Sequence, residues 1–376
     1  MLKNQVRLAP LARILLQYWG QKGAGVLISE RLVVSLEAVA SDVYLSVAVE
    51  NEFFTSRSES MGENFCSIAP FYGNRPFGLK LLLSPIAFAR FVLFLRRTRP
   101  DIVFCPMLNY WSPLLGMVYR LLRIKYFLLV HDATPHPGED SWIQRLLFSL
   151  SFLNVDTFFV LSLSVKSGLM KANTYRSQAI IVSTHGNLYD GAVGVERVLK
   201  ADHPVTISFL GRIREYKGLG MFIMTLLQLR KNGWVINGLI CGNGVISSTD
   251  RALLDRANFI EVNNRWLSDD DFKSYLDRSD IVLLPYTEAS QSGVVVAAKT
   301  FGVPLIVSPI GGLTEQVEHR VTGLVASDVT VDAFVAAVGE LLNNQHMYAF
   351  ISSNQIKEIA ASESWAHLVT SIVGRA

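Results

Sequence analysis

The amino-acid sequence predicts an α/β protein built from two doubly wound, Rossmann-like domains. Short apolar, β-branched runs alternate with longer helical patterns along the chain, and this alternation occurs once in each half. The length of 376 residues also suits two domains of ordinary size. We therefore expect two open sheets of parallel strands, each covered by helices on both faces.

The N-terminal half contains the first set of predicted strands. A strand at 13–18 leads into a glycine loop, and a helix as far as Leu36 follows it. The loop does not have the Gly-x-Gly-x-x-Gly spacing of a dinucleotide site, because its glycines are Gly20, Gly23 and Gly25. Further strands are predicted at 43–49, 102–105, 126–130, 157–161 and 179–183.

The C-terminal half repeats the same alternation. Its strands are predicted at 205–210, 235–240, 259–262, 281–284 and 305–307. Residues 189–203 are rich in charge and glycine with little periodicity, so we place the interdomain linker there. The predicted division is 1–190 for the N-terminal domain, 204–350 for the C-terminal domain and 351–376 for a C-terminal helical segment.

Composition narrows the class of protein. Half of the residues are hydrophobic and the mean hydropathy is +0.30, which is high for a soluble enzyme. The net charge is only +3 with a pI of about 8.7, so nucleic acid is not an expected partner. Cys66, Cys105 and Cys241 lack metal-ligand spacing, and we expect free thiols in a reducing compartment rather than a metal site.

The sequence also bears on location. The first ten residues carry two cations but no apolar core, and the apolar run at 14–19 stops at Gly20, so no secretory signal is recognised. No stretch reaches the roughly 18 uninterrupted apolar residues of a membrane span. We expect a cytoplasmic protein.

The most informative segment is 205–218, Val-Thr-Ile-Ser-Phe-Leu-Gly-Arg-Ile-Arg-Glu-Tyr-Lys-Gly. An apolar strand ends at Gly211, two cations follow, and a helix begins after Gly218. This order of strand, basic loop and helix predicts a polyanion site at the carboxyl end of a sheet strand. Arg212 would fork onto phosphate oxygens, Lys217 would supply a compact charge, and Gly218 would let the backbone approach. The alternative is a basic turn on a solvated loop.

A second block, 280–312, supplies the other half of this predicted site. A buried strand runs into a loop of small residues, a helix starts at about Ser292 and Gly293, and a diglycine turn follows at Gly311 and Gly312. Unsatisfied N–H groups at the helix start beside Gly293 would form a second anion cradle.

These blocks, in this order, resemble the donor-binding domain of nucleotide-sugar glycosyltransferases with the GT-B fold, closest to glycosyltransferase family four (group 1). The matching pieces are Gly-Arg…Lys-Gly at 211–218, Leu-Pro-Tyr at 284–286, Ser-Gly at 292–293, Phe-Gly-Val-Pro at 301–304, Gly-Gly-Leu-Thr-Glu at 311–315 and Thr-Gly-Leu at 322–324. The resemblance implies two Rossmann-like domains facing a cleft. Residues 1–190 would bind the acceptor, 204–350 would bind the donor, and 351–376 would pack back toward the N-terminal domain.

The resemblance also assigns two glycine loops to the donor. Gly23 and Gly25 resemble the loop that lies near the donor diphosphate, with a plain tight turn as the alternative. Gly242 opens a Gly-Asn-Gly sequence that resembles the loop before the nucleotide-base pocket. The nucleoside-diphosphate sugar itself would be the donor substrate, and no further cofactor is implied.

One departure from the family pattern affects the expected chemistry. Family four usually carries Glu-x7-Glu here, with the first Glu near the donor sugar and the second on the ribose. The second position falls on Ala297, which cannot accept a hydrogen bond from a hydroxyl, and the first falls on Ala289 with Glu288 beside it. Glu288 would take over the sugar contact, and retention or inversion of anomeric configuration stays open.

A His-Asp pair is the candidate for catalysis. His131 and Asp132 close a very apolar strand, and a base belongs at such a carboxyl end. The base would activate an acceptor hydroxyl while Arg212 and Lys217 neutralise the departing diphosphate in place of a metal ion. The resemblance favours His131 as the histidine that contacts the sugar. If the enzyme inverts the anomeric configuration, Asp132 becomes the leading candidate for the base. The alternative is a turn stabilised by Asp132.

Residues 85–99 form an apolar segment with four arginines, Arg90, Arg96, Arg97 and Arg99. Such a segment is suited to peripheral binding to anionic lipids on the inner face of the cell membrane. The alternative is a core helix whose basic C-terminal end is favoured by the helix dipole.

The sequence therefore predicts a metal-independent glycosyltransferase. It would transfer a sugar, which we expect to be a hexose, from a nucleoside-diphosphate sugar to a lipid-linked or polysaccharide acceptor. The expected role is exopolysaccharide or surface-glycan biosynthesis. The alternatives are a GT-B-fold sugar-nucleotide epimerase or phosphorylase, and a non-catalytic partner that keeps the fold.

Overall fold

The structure, a computed structural model, describes residues 12–20, 23–40, 42–49, 61–68, 77–109, 111–133, 142–172, 178–189, 194–199, 203–361 and 365–375. The described chain forms two compact units. The first unit extends to Thr184 and resumes at Trp365, and the second unit is His185–Ser364. Each unit contains a parallel sheet with helices packed on it, so the predicted α/β class with two Rossmann-like halves is confirmed.

The sheet of the first unit has the strand order β3-β2-β1-β4-β5-β6-β7. The strands are β1 Arg13–Tyr18, β2 Asp42–Ala48, β3 Phe65–Ile68, β4 Ile102–Cys105, β5 Lys125–Val130, β6 Thr157–Val160 and β7 Ala179–Val182. Central strands such as β4 and β6 are buried at every position, because helices cover both faces of a parallel sheet. The chain order reverses between β1 and β4, which makes their carboxyl ends a topological switch point.

The helices before residue 184 pack on this sheet. They are α1 Ala24–Glu37, α2 Phe77–Thr98, α3 Ser112–Leu121, α4 Trp142–Ser151 and α5 Leu163–Ala172. Large rings join helices to strands in one apolar core: Phe91 of α2 contacts Trp19 and Tyr119 edge-on, at 5.1 and 6.3 Å between ring centroids. The indole of Trp19 donates to Ser46 Oγ at 3.0 Å, which satisfies its buried N–H.

The sheet of the second unit has the strand order β10-β9-β8-β11-β12-β13. The strands are β8 Val205–Leu210, β9 Ile236–Cys241, β10 Ile260–Asn263, β11 Ile281–Leu284, β12 Leu305–Val307 and β13 Leu324–Val325. The helices are α6 Leu219–Lys231, α7 Ser248–Leu254, α8 Asp269–Asp277, α9 Gly293–Thr300, α10 Gly311–Gln316, α11 Val331–Leu342 and α12 Gln345–Ala361. Here the order reverses between β8 and β11, so the switch point of this unit lies at their carboxyl ends.

The chain between the halves is bound to the second unit where it is described. Gly194 N donates to Thr300 O at 2.8 Å, and Arg197 donates to the carbonyls of Phe301 and Ser279 at 3.0 Å each. The unit boundary at 184 and 185 therefore precedes the linker expected at 189–203. Residues 190–193 and 200–202 lie outside the described residues.

The helical segment expected at 351–376 is divided between the units. Helix α12 stays with the second unit, where Ser352 Oγ donates to Gly302 O at 2.7 Å. The last helix, α13 Ala366–Val373, belongs to the first unit and packs against α1. Leu368, Val369 and Ile372 of α13 are buried, which explains why this amphipathic helix joins that core.

Residues 85–98 of the arginine-rich segment lie in α2, and this part of the helix has two different faces. Phe91 and Phe94 are buried in the core, as the core-helix alternative expects. On the other face, Ile86 and Leu93 are 61% and 63% exposed. Within the described part of the chain, no helix has the length and apolar character to cross a membrane.

Candidate functional site

Two neighbouring loops form the floor of the candidate site at the carboxyl ends of β8 and β9. Gly211 N donates to Cys241 O at 2.9 Å and Ile213 N donates to Asn243 O at 2.9 Å, which continues the sheet pairing past the strand ends. The predicted donor glycine Gly242 therefore lies directly beside Gly211. Arg212, between these two paired positions, is exposed.

Lys217 is the best-placed cation of the site. It ends a short 3-10 helix, and its Nζ lies 5.0 Å from the centroid of the Tyr286 ring, a cation–π distance. A Cβ built on Gly211 would lie 3.3 Å from Lys217 Nζ and 3.3 Å from Val294 Cγ2. The ammonium group is therefore held between the carboxyl end of β8 and the first turn of α9.

The electrostatics of Lys217 follow from this position. Burial lowers the pKa of Lys217 to about 8, and the charges of Arg212 and Arg214 lower it further, against an opposing effect of Tyr216. An anion placed beside Lys217 would oppose these effects and favour the charged ammonium. A bound anion is thus expected to raise the pKa of Lys217 and keep its ammonium charged to a higher pH.

Gly218 fixes the path of the chain around Lys217. Its φ is +69°, in the left-handed region, and a Cβ there would lie 2.1 Å from Pro285 O. Only glycine satisfies both constraints. Next to it, Thr287 N donates to Tyr216 O at 2.7 Å, which joins the loop after β11 to the basic loop after β8.

The predicted helix start at Ser292 and Gly293 is present as the beginning of α9. Ser292 makes no side-chain cap. Instead, its backbone N donates to Gln316 Oε1 at 2.7 Å and its carbonyl accepts from Gln316 Nε2 at 3.2 Å. The amides of Gly293 and Val294 in the first turn have no acceptor within the helix itself, so they are the anion-binding donors that this helix start offers.

The residues at the degenerate Glu-x7-Glu positions are now placed. Glu288 is exposed on the loop after β11, and Ala289 O accepts from Gly312 N at 3.0 Å, which brings the diglycine turn against this loop. Ala297 is 1% exposed within α9. Its methyl group therefore serves packing, and the structure provides no carboxylate at the usual ribose position.

The segment after β10 lies next to the Gly242 loop. Asn264 Nδ2 donates to Gly244 O at 2.9 Å, and Gly244 N donates to Asn264 Oδ1 at 3.1 Å. Ser268 is the N-cap of α8 and forms a capping box with Asp271. The Arg265 guanidinium and Ser268 hold the pKa of Asp271 well below its usual range.

The candidate catalytic pair lies in the first unit, at the carboxyl end of β5. His131 Nε2 lies 2.8 Å from Pro106 O. A carbonyl only accepts, so this contact requires the proton on Nε2 and leaves Nδ1 as the acceptor nitrogen. Burial lowers the pKa of His131, although Pro106 and Asp132 act in the opposite direction, so the neutral ring is favoured. Asp132 follows it directly and is half-buried.

The glycine loop of the first unit has a packing role that the sequence did not indicate. Gly23 precedes α1, and a Cβ on Gly25 would lie 2.4 Å from the Tyr18 hydroxyl. Gly25 therefore lies directly against the phenol of Tyr18, and burial raises the pKa of this phenol to about 12. These contacts explain Gly25 without a ligand, and the predicted diphosphate contact of Gly23 and Gly25 stays a prediction.

Sequence reasoning missed two members of the site. Gln316 contacts Ser292, which lies 24 residues earlier in the chain, and no local sequence pattern predicts this contact. Pro106 lies 25 residues from His131 and meets it only because β4 and β5 are neighbours in the sheet. A signal existed for Pro106 alone, since it directly follows the predicted strand at 102–105.

Solved structures define the class of fold. The Anabaena protein HepE in complex with UDP-glucose superimposes with a TM-score of 0.73 at 15% identity, over 97% of this chain and all of that one. Sucrose-phosphate synthase from Thermosynechococcus elongatus gives 0.71 at 16% identity, over 97% and 98% of the chains. The fold is the GT-B fold, as predicted.

The sequence comparisons give family relatives for part of the chain. Residues 204–344, which lie in the second unit, match the family model described as "Glycosyl transferases group 1". Amylovoran biosynthesis glycosyltransferase AmsK of Erwinia amylovora is 30% identical over 35% of this chain. D-inositol 3-phosphate glycosyltransferase of Mycobacterium marinum is 26% identical over 44%. The matches span only 35% and 37% of these relatives' own lengths.

Proposed function

We propose that the protein is a glycosyltransferase that takes a sugar from a nucleoside-diphosphate sugar. The observation that carries this proposal is the position of Lys217, whose ammonium lies between the end of β8 and the first turn of α9. A diphosphate bound there meets the Lys217 charge, the Arg212 guanidinium and the amides of α9 together. HepE, a neighbour in fold, was solved with UDP-glucose, and that is the donor class we propose here.

We propose further that the reaction needs no metal ion. Loss of the nucleoside diphosphate leaves negative charge on the leaving group, and groups preorganised where this charge develops lower the barrier. Arg212 and Lys217 supply two positive charges at that point. Activity is then expected to survive EDTA, and loss of activity that Mg²⁺ or Mn²⁺ restores would contradict this part of the proposal.

The test begins with the donor. Melting temperatures measured with UDP, GDP, ADP and CMP identify the nucleotide, because a ligand that binds the folded state raises the melting temperature. Arg212→Ala and Lys217→Ala should then each lower turnover with that donor by about 100-fold or more. Lys231→Ala, which removes an exposed cation at the end of α6, is the control. Turnover within a few-fold of wild type in both site variants would reject the donor site.

For catalysis we propose His131 and Asp132. His131 is held in one tautomer by Pro106 and would contact the sugar if the reaction retains anomeric configuration, whereas Asp132 would act as the base if it inverts. The anomeric configuration of the product, read by NMR, separates the two. Loss of turnover in His131→Ala with retention, or in Asp132→Asn with inversion, is expected. Wild-type turnover in both variants would reject the pair.

For the acceptor we propose a lipid-linked sugar or polysaccharide, at the cytoplasmic face of a membrane. The relative AmsK carries amylovoran biosynthesis in its name, and that suggests a surface-glycan acceptor here. The outward face of α2 combines exposed Ile86 and Leu93 with Arg90 and Arg97, four residues spaced along one side of the helix. Such a face suits shallow contact with anionic lipid.

A further inference from the structure

A second basic site lies in the first unit, at the amino ends of its central strands. A cavity of about 790 Å³ opens where β1, β4 and β5 begin, at the end of the sheet opposite to its switch point. Among the residues that the structure describes, its charged lining consists of five cations and one carboxylate: Arg13, Arg96, Arg99, Arg123, Lys125 and Asp101. We call this cavity the basic basin.

The single carboxylate of the basic basin is already neutralised. Asp101 accepts from Arg13 Nη2 at 2.8 Å and from Arg13 Nε at 3.2 Å, and this pairing lowers the pKa of Asp101. Within the described ranges, no carboxylate lies within ion-pair distance of Arg96, Arg99 or Arg123. Three arginines that line the basin therefore have no carboxylate partner among the described residues.

Two of these arginines occupy backbone positions that favour glycine. Arg99 has φ +45° and Arg123 has φ +56°, both in the left-handed region. Arg99 N donates to Leu95 O at 2.9 Å, which is the single-bond cap that ends α2. Ile124 N donates to Tyr119 O at 2.9 Å, the six-residue bond of a Schellman cap that ends α3.

Glycine is the usual residue at both kinds of cap, since it enters the left-handed region without strain. Two neighbouring helices instead end in a strained arginine, and both arginines line the same cavity. A helix cap needs neither side chain. A ligand held by these two side chains would offset the cost of the left-handed backbone at both positions.

We propose that the basic basin binds a phosphate group. Guanidinium groups pair with phosphate oxygens through two parallel hydrogen bonds, and Lys125 adds a compact charge at the start of β5. The phosphate would come either from the headgroup of an anionic lipid or from a soluble phosphorylated molecule. The site lies on the unit that does not carry Lys217, so it is separate from the proposed donor diphosphate site and does not depend on it.

The test uses glycine in place of the two strained arginines. Arg99→Gly with Arg123→Gly removes two cations from the basin while leaving both helix caps intact, so folding should be preserved or improved. Arg320→Gly with Arg256→Ala is the matched control, because Arg320 is also in the left-handed region, at φ +62°, and both residues are exposed on the other unit. Arg320 pairs there with Glu340 at 2.8 Å.

The first arm uses inorganic phosphate as the probe. The full chain carries Arg212→Ala and Lys217→Ala in every sample, which removes the donor-site cations. Sodium phosphate should raise the melting temperature more than sodium chloride of equal ionic strength. The variant with Arg99→Gly and Arg123→Gly (the glycine pair) should need about ten times more phosphate for the same rise in melting temperature. The variant with Arg320→Gly and Arg256→Ala (the control pair) should respond to phosphate as the parent protein does.

The second arm uses sedimentation with vesicles of phosphatidylglycerol and phosphatidylcholine, against vesicles of phosphatidylcholine alone. Binding to the anionic vesicles that the glycine pair loses and the control pair keeps assigns the site to a lipid headgroup. A phosphate effect without vesicle binding assigns it to a soluble phosphate. No preference for phosphate over chloride together with no anionic vesicle binding, or equal behaviour of the glycine and control pairs in both arms, overturns the proposal. Donor turnover, measured separately with Arg212 and Lys217 intact, reports on the donor site alone.

Discussion

Lys217 shows how one residue can couple ligand charge to pH. Its ammonium is desolvated between β8 and α9 beside Arg212, and its pKa falls to about 8 from an ordinary value of 10.5. Below pH 8 the side chain is charged at a cost to the folded protein, because the unfolded chain holds that proton more tightly. Between about pH 8 and 10.5 the folded protein has released the proton while the unfolded chain still holds it, so this cost falls progressively over that range.

Donor binding is therefore expected to weaken on the alkaline side. Above about pH 8, kcat/KM for the donor should fall by up to about tenfold per pH unit, because a neutral Lys217 no longer opposes the diphosphate. Lys217→Arg is the informative variant, since a guanidinium stays charged throughout this range. The alkaline fall should disappear in its pH profile. An identical fall in Lys217→Arg would show that another group titrates.

Gly218 allows a second test at single-residue resolution. Gly218→Ala should destabilise the second unit by more than the roughly 1–3 kcal/mol of left-handed strain, because the new methyl group would also lie 2.1 Å from Pro285 O. Gly233→Ala isolates the strain, since Gly233 has φ +91° with nothing within 4 Å of its Cβ position. Urea unfolding of both variants gives the difference. Equal losses would mean that the Pro285 contact relaxes without cost.

The cations of the site could be read from the sequence, whereas their partners could not. Arg212 and Lys217 follow a strand in a recognisable strand–loop–helix order, and Ser292 announces a helix start. The two bonds from Gln316 to Ser292 depend on the side-by-side placement of α9 and α10. Tertiary packing sets that placement, and the hydrophobic periodicity of the sequence does not predict it.

At the scale of elements, short apolar strands were the most predictable feature. Predicted strands such as 102–105 and 281–284 match the structure at both ends, because buried parallel strands are continuous apolar runs. Two strands were missed. β3, Phe65–Ile68, is interrupted by Ser67, and β13, Leu324–Val325, is only two residues long. Both are edge strands, paired on one side only with β2 and β12, so neither is a continuous apolar run like the central strands.

Helix α2 is the element whose two faces make different predictions. Its inner face is core, so the core-helix alternative explains Phe91 and Phe94, while only the membrane proposal gives a role to exposed Ile86 and Leu93. Neutralising Arg90 and Arg97, the two arginines of that outward face, should weaken flotation with anionic vesicles, since each contributes about 1 kcal/mol near such a surface. Transfer to a soluble acceptor should change little.

The appropriate control for α2 is the apolar half of the same face. Ile86→Ser with Leu93→Ser should also reduce flotation, but without the salt dependence that the arginines confer. Wild-type protein that fails to float with anionic lipid at low salt would end the membrane proposal for this helix.

At the scale of the whole molecule, the first unit includes a helix that comes after the second unit in the sequence. Helix α13 supplies Leu368, Val369 and Ile372 to the core of a unit whose other elements end at residue 184. The sequence did suggest that the last helix packs on the N-terminal half, through the family resemblance. Residue patterns alone could not decide it, because an amphipathic helix shows that it has a buried face and not which core buries it.

Leu368→Ala tests this arrangement. Leu368 is fully buried, so its truncation should cost about 2–5 kcal/mol and should destabilise the first unit. Thr370→Ala, on the exposed side of the same helix, is the control and should be nearly neutral. Unfolding followed by hydrogen exchange would assign the loss to a unit. Faster exchange confined to 185–361 would contradict the assignment of α13.

The return of α13 to the first unit has a consequence for biosynthesis. Domains usually fold in the order in which the ribosome delivers them. Here the N-terminal unit waits with part of α1 uncovered until residues 365–375 have emerged, while the unit encoded in the middle of the chain can finish first. The order of completion on the ribosome is thus expected to run against the order of the sequence, and nascent chains stalled before Trp365 should expose the apolar surface that α13 later covers.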